Sequence, residues 1–285
     1  MSRARQRGLA LVTVLLVMAL LTLLVAGMLR SQQLLVAGVG QQLAFSRLLQ
    51  LALAGEQQML QQLAQQAPTL LQRSHAGQAW AEHRQLALAD GQVWMRMEDL
   101  AGRLNLTALI GRRSLDPVLL VRWQRLCASL GIDPPDLQAL VGQRLLDVSQ
   151  LSGLPGLSAD ALARLRPWVV VLPDQAGLNV NTAPTLLLAA LEGLGPAAAQ
   201  RVQGERPDDG HASVQRFLAS PQMLGLGTQA RGLAVASRWF RLELQAELDG
   251  QRMYLYSDFE IDAKTHRVNL VRRSFSATRE QQRDE

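Results

Sequence analysis

The sequence predicts an α+β fold: a long N-terminal transmembrane helix, a body built on an antiparallel sheet, and a large all-α insert with helix-hairpin-helix-like units interrupting that body. Three observations carry this expectation. No ionisable side chain occurs from residue 9 to residue 29, between Arg7 and Arg30. Leucines then recur at helical offsets to about residue 67. Two stretches with a period of two lie on either side of a long run of short helical patterns broken by Gly and Pro, and the period of the apolar residues is the main signal separating strand from helix.

Composition bounds the rest. The 285 residues are enough for an anchor helix and two compact units. Apolar residues make up 48% and aromatics only 4%, so leucine and alanine must fill the core and helix should dominate. The net charge is +5, with Lys264 as the sole lysine and arginine spread along the chain. No dense basic block with interleaved aromatics occurs, so the charge reads as solvated surface and disfavours nucleic acid as a partner. Cys127 is the single cysteine, which excludes an intramolecular disulfide and a cysteine-based zinc cluster and leaves it as a buried filler.

The 21 uncharged residues from 9 to 29 would make a helix about 30 Å long, the thickness of a bilayer's hydrocarbon core. Arg3, Arg5 and Arg7 precede them, which predicts that this end stays in the cytoplasm and everything after Arg30 lies on the far side. A signal peptide would have a shorter apolar core, about 7 to 15 residues, and a small-x-small cleavage site; nothing after Met28 has that form. An uncleaved anchor fits every residue. The glycine of Gln6-Arg7-Gly8-Leu9, at the junction of charge and hydrocarbon, resembles the type III leader of the type IV pilin and type II secretion pseudopilin superfamily. That resemblance implies cleavage by a prepilin peptidase after Gly8 and N-methylation of Leu9, with the apolar helix retained. The fifth residue of the processed chain is then Thr13, where most pilin-like subunits carry Glu. A carboxylate in the bilayer requires a partner, in this superfamily a neighbour's terminal amine. The leader Gly8-Leu9-Ala10-Leu11-Val12-Thr13 resembles that of the minor pseudopilin GspK, which also lacks the acid.

Beyond the bilayer, Leu34, Leu35, Leu43, Leu48, Leu49, Leu53, Leu60 and Leu63 alternate with glutamines at helical spacing, so the helix should continue as an amphipathic rod. Gly38, Gly40 and Gly55 each weaken it by about 1 kcal/mol relative to alanine. Gln92-Val93-Trp94-Met95-Arg96-Met97 alternates like a half-buried strand. Residues 114–226 read as almost entirely helical. Asp116-Pro117 supplies an N-cap and a first-turn proline for a helix ending near Gly131, and Asp133-Pro134-Pro135 opens the next. Segments 148–165 and 180–202 both resemble helix-hairpin-helix units, with Thr182 as an N-cap and Pro184 in the first turn. From Trp239, Phe240, Leu242, Leu244, Ala246 and Leu248 alternate with polar residues; Asp249-Gly250 signals a hairpin, 253–261 a return strand, 262–265 a second turn and 267–275 a third strand.

Two further segments strengthen the likeness to GspK: Glu98-Asp99-Leu100-Ala101-Gly102-Arg103-Leu104-Asn105-Leu106 after the first strand, and Asn179-Val180-Asn181-Thr182-Ala183 before a helical pair. The resemblance implies a leader (1–8), a transmembrane and amphipathic helix (9–67), a pilin-like body in two parts (68–113 and 231–285) and an inserted helical domain (114–230). It also implies an inner-membrane protein, single-pass with its C-terminal domain in the periplasm. Its partners would be GspI- and GspJ-type minor pseudopilins, the prepilin peptidase and exported proteins, and its place the pseudopilus tip.

No catalytic constellation is evident, so an enzyme is not expected. His75, His83, His211 and His266 are scattered; only His75 and His83, eight apart, would share a face of a helix. GspK proteins can carry Ca²⁺ in an acidic loop, but around 141–151 this chain has Gly142-Gln143-Arg144-Leu145-Leu146-Asp147, and Ca²⁺ takes about six to eight oxygens. Asp208-Asp209-Gly210 is a remaining acidic turn, so calcium stays open while no other metal or cofactor is indicated. The rival function is a membrane-tethered DNA-binding protein of an uptake system, in which backbone N–H groups of Gly193-Leu194-Gly195 would hold a phosphate, with Arg201 and Arg206 nearby.

Overall fold

The computed structural model describes residues 3–88 and 91–276, with side chains for 14–33, 39–87 and 91–276. The chain forms two compact units, Met1–Gln50 and Leu51–Glu285. Helix α1 (Arg3–Leu70) is 68 residues long and belongs to both. It runs past the expected end at residue 67 and through Pro68, whose missing N–H costs only one hydrogen bond so near the C-terminus. In the second unit, Ala52, Glu56, Met59, Leu63, Ala67 and Leu70 are buried, a spacing of three or four that places them on one face. Gly55 has a positive use there: a Cβ would come 2.9 Å from Leu244 and 3.0 Å from Val93, so glycine lets the helix approach the sheet.

The sheet opens with β1 (Arg84–Leu88) and β2 (Gly91–Asp99), an antiparallel hairpin. β1 was not expected, because as an outermost strand it only half-buries one face, Arg84 and Leu86, and its sequence Arg84-Gln85-Leu86-Ala87-Leu88 has no clean apolar-polar alternation. In β2, by contrast, Val93, Met95 and Met97 alternate inward as expected.

The chain then leaves the sheet for some 140 residues of short elements: β3 (Leu104–Asn105), α2 (Leu106–Ile110), α3 (Pro117–Ser129), α4 (Ala159–Leu165), β4 (Val169–Val170), β5 (Leu178–Asn179), α5 (Thr185–Ala189), α6 (Pro196–Gly204), α7 (Val214–Leu218) and β6 (Leu233–Ala234). This stretch is less helical than its sequence suggests. β3 pairs with β4 and β5 with β6, both parallel. Asp133-Pro134-Pro135 opens no helix; only a 3₁₀ turn, Gln138–Leu140, follows, since two prolines remove two N–H groups and hold the preceding residue extended. Asp116 does cap α3, accepting from the Val118 and Leu119 amides at 3.0 and 3.1 Å, and Gly131 beyond its end has φ +62°. Leu109, Trp123, Leu126, Leu151, Leu165, Leu188 and Phe217 form the centre of the insert's own core.

β7 (Trp239–Leu248), β8 (Gln251–Ile261) and β9 (Val268–Ser276) complete an antiparallel sheet of order β1-β2-β7-β8-β9. Asp99 of β2 lies opposite Phe240 of β7, so the insert fills the connection between adjacent strands. Asp249 and Gly250 both have positive φ, 50° and 76°, the two-residue hairpin that Asp-Gly favours.

One ion pair pins α1 to the sheet. Glu56, 2% exposed, takes the Arg273 guanidinium at 3.0 Å through Nε and again through Nη2, and accepts from the Ser257 hydroxyl. Removing one partner strands a buried charge, whereas removing both does not. Arg273→Leu is therefore expected to cost about 3 kcal/mol or more, with much of it recovered in Glu56→Leu/Arg273→Leu, by urea denaturation of the detergent-solubilised chain. A double variant no more stable than Arg273→Leu would show that the pair is not what fixes this edge.

Candidate functional site: an apolar anchor and a buried polar joint

Among the described residues one helix segment, Val14–Gln33, is long and apolar enough to cross a membrane, with mean hydropathy 2.2 and none of it buried. Its hydroxyls are satisfied within the helix: Thr22 donates to the Ala19 carbonyl and Ser31 to that of Met28, each at 2.8 Å, as a non-aqueous setting requires. Gly8, Leu9 and Thr13 have helical backbone in α1; their side chains lie outside the described residues.

The second feature is where the two GspK-like motifs meet. Asp99, 3% exposed, ends β2. Its carboxylate accepts from the Ala101 amide (2.8 Å), Asn179 Nδ2 (2.8 Å) and the Thr182 hydroxyl (2.7 Å). Asn179 Nδ2 also donates to the Ser74 carbonyl at 3.0 Å, bringing in the turn after α1. Asn179 Oδ1 accepts the Asn181 amide at 3.1 Å, and Asn181 Nδ2 donates to the carbonyls of His211 and Val235. Ser74 closes the ring: its hydroxyl donates to the Leu70 carbonyl at 2.8 Å and accepts the Ser237 amide at 2.9 Å. Nearby, Asn105 uses all four of its valences, accepting from the Thr107 and Leu172 amides and donating to the carbonyls of Pro173 and Ala176. These are buried polar groups with complete partners, the condition under which burial is tolerable.

Thr182 is therefore not the expected N-cap. Pro184 occupies that position before α5, and the threonine hydroxyl is directed to Asp99. Gly102 packs closely here: a Cβ would sit 3.2 Å from the Thr182 carbonyl oxygen, a tight contact. Sequence reasoning read Thr182 as a helix cap; pairing Asp99 with Asn179 across 80 positions leaves no signal in one sequence.

The Gly193-Leu194-Gly195 hairpin is likewise explained from within. Gly193 has φ +78° and abuts the Leu226 carbonyl. Beside it, Glu192 holds Arg122, 1% exposed, through two hydrogen bonds of 2.9 and 3.0 Å, while Arg122 also donates to the carbonyls of Arg231 and Gln229. Arg206 donates to the Ala183 carbonyl at 2.9 Å, and burial lowers its pKa to about 10. A base engaged inward is not offered to a phosphate, and Gly195 has open space where a Cβ would lie.

No group of three or more His, Cys, Asp or Glu side chains is close enough to hold a metal among the described residues. Where an acidic loop was sought, Asp147 caps a 3₁₀ turn through the Ser149 amide and bonds Arg272 at 2.6 Å. Burial opposes its ionisation, but those partners outweigh it and hold the carboxyl at about 2; the pair's stabilisation is thus lost only as pH falls from 3.8 toward that value. Asp209 pairs with Arg73. His75 and His83 lie in no helix and share no face. Cys127 is buried, its thiol pushed up to about 12 by desolvation.

Burial pushes the Asp99 carboxyl above its ordinary 3.8, against the pull of Ser237, Thr182, Asn179 and Ala101. A folded pKa above the unfolded one means that ionising Asp99 costs stability, progressively as pH rises from 3.8 through the folded value. Thr182→Val removes one donor to the ionised form. It is expected to cost about 2 kcal/mol at neutral pH and less as Asp99 protonates, measured by urea denaturation across a pH series. A loss independent of pH would return Thr182 to a capping role.

Comparison with known proteins bears on this joint. The profile of the family described as type II secretion system (T2SS), protein K matches residues 178–236, the stretch holding Asn179, Asn181 and Thr182. Type II secretion system protein K of Pseudomonas aeruginosa is 31% identical over 299 aligned residues, covering 90% of each chain. The protein of the same description from Klebsiella pneumoniae is 29% identical over 283 residues, covering 83% of this chain and 86% of that one. A chain of the GspK-GspI-GspJ complex from the enterotoxigenic Escherichia coli type 2 secretion system shares the fold, with a TM-score of 0.68 at 20% identity over 83% of this chain and 98% of that one. Identity of 31% sustained over 90% of both chains draws on sheet and insert together, and on that ground the chain belongs to the type II secretion system protein K family.

Proposed function

We propose that this protein is a minor pseudopilin of the type II secretion system, seated at the tip of the periplasmic pseudopilus, where it helps initiate assembly for protein export. The observation that carries the reading is the succession of one apolar anchor helix, a sheet and a bulky insert held to the sheet by a buried joint, in a chain that aligns over 90% of its length with a protein K relative. The anchor makes a single pass of the inner membrane with the arginines of residues 3–7 on the cytoplasmic side, and the body lies in the periplasm. Prepilin peptidase cleaves after Gly8 and Leu9 becomes the methylated N-terminus. GspI- and GspJ-type subunits are the partners, by likeness to the Escherichia coli complex, and exported proteins are transient ones. The protein acts as a structural subunit without catalysis of its own.

Thr13 fits this position. A carboxylate at that depth is tolerated only when another group neutralises it, and a subunit with none above it meets no neighbour's amine that needs neutralising. The bulk of the insert would obstruct addition of a further subunit.

Two measurements test this. N-terminal sequencing of membrane-extracted protein is expected to begin at N-methyl-Leu9; a chain beginning at Met1 in cells with active prepilin peptidase overturns the processing. Thr13→Glu is expected to lower co-purification with the GspI- and GspJ-type partners, and unaltered assembly would remove the argument for the tip.

A further inference from the structure

We propose that the free edge of β9, together with the cleft beside it, docks an extended acidic segment of an exported protein by strand addition. β9 is the last strand of the sheet and pairs only with β8 among the described residues. A strand of nine residues with one side open presents a row of backbone donors and acceptors that only another extended chain can match. It is also apolar where solvent would favour polar groups: Leu270, Val271 and Phe275 are 42%, 63% and 46% exposed. The usual protection of such an edge is charge or brevity, and here it is incomplete.

The edge borders a cavity. A register shift opposite Asp258 and Phe259 leaves Val271 without a partner in β8, and Val271 lines a cleft of about 690 Å³ between the outer sheet face and the insert, opposite Leu146, itself 69% exposed. Strand addition draws affinity from backbone hydrogen bonds and specificity from pockets that take alternate side chains. An added strand beside β9 has such a pocket at its flank.

Charge decides the occupant. The cleft's acids are each matched by an arginine: Glu98 by Arg103, Glu243 by Arg96, Asp258 by Arg241 and Asp147 by Arg272. Arg166 also lines it and forms no ion pair among the described residues, nor do Lys264 and Arg267 in the turn leading into β9. The surplus is cationic, so the complementary strand carries Asp or Glu with an apolar residue. A second copy paired antiparallel about the centre of β9 would bring Arg272 and Arg273 of the two strands together. A permanent subunit contact would be more apolar than a cleft walled by four ion pairs, whereas cargo that binds and leaves fits a charged wall. The inference rests on the pseudopilin reading above.

The test uses the full chain in cells with active secretion, with Val271 replaced by photoreactive p-benzoylphenylalanine. The expected adduct joins it to an exported protein, mapped by mass spectrometry to an extended segment bearing Asp or Glu. An adduct solely with pseudopilus subunits or with this chain's own residues 277–285, or no adduct, overturns the proposal. Adding Lys264→Glu and Arg267→Glu, both in an exposed turn, should lower the adduct yield roughly tenfold; an undiminished yield overturns the acidic occupant. Co-purification of the same chain with GspI- and GspJ-type subunits is read in parallel: its loss counts against the pseudopilin reading, while retained assembly without the adduct counts against the docking edge alone.

Discussion

A buried carboxylate with no cation against it is the constraint on which the second unit depends. Asp99 is fully desolvated, and each lone pair left without a donor would cost the fold. The donors come from stretches far apart in the chain, Ala101 next to it and Asn179 and Thr182 from the insert. Because Asn179 also reaches the Ser74 carbonyl, the same few bonds fix the turn after α1, the end of β2 and the insert relative to one another. The requirement is geometric: a shift of any one element exposes the carboxylate to a vacancy in place of a donor.

This explains how a sheet tolerates so large an interruption. The chain departs and returns at neighbouring positions, Asp99 opposite Phe240, so the sheet's hydrogen bonding is continuous across the insertion. The insert has its own core around Trp123 and Phe217 and meets the sheet in a small apolar cluster of Leu100, Val170, Leu172, Ala176 and Trp239. What it needs from the sheet is orientation, and directional hydrogen bonds supply orientation where area-dependent burial does not. Arg122 has the same part inside the insert, tying α3 to Glu192 and to the carbonyls of Gln229 and Arg231.

Much of this architecture was legible because it is periodic. The charge-free run, the inward alternation of Val93, Met95 and Met97, the Asp-Gly hairpin and the Asp116 cap follow from neighbours in sequence, and the structure carries them all. β1 escaped notice because an outermost strand needs no alternation. The insert was read as too helical because Gly and Pro at close intervals permit 3₁₀ turns and two-residue bridges as readily as helices. The joint was half legible: both motifs stood out, but Thr182 beside Pro184 has the form of a cap, and only the fold reveals its partner. Glu56 had a fainter signal, as the one ionisable residue between Arg47 and Arg73, a position that an unpaired charge on a buried helix face could not hold.

The placement of acids gives the chain a single logic. The two most buried carboxylates among the described residues, Glu56 and Asp99, have their shells within the same unit: Arg273 and Ser257 for one, backbone and side-chain donors for the other. Residues 9–29 carry no carboxylate at all. An acid there would have to find its shell in another molecule, since a lone helix offers none and lipid offers none. Glu56 and Asp99 thus need no neighbouring molecule to complete their shells. Among the described residues, the open backbone of the sheet lies along its two outer strands, β1 and β9.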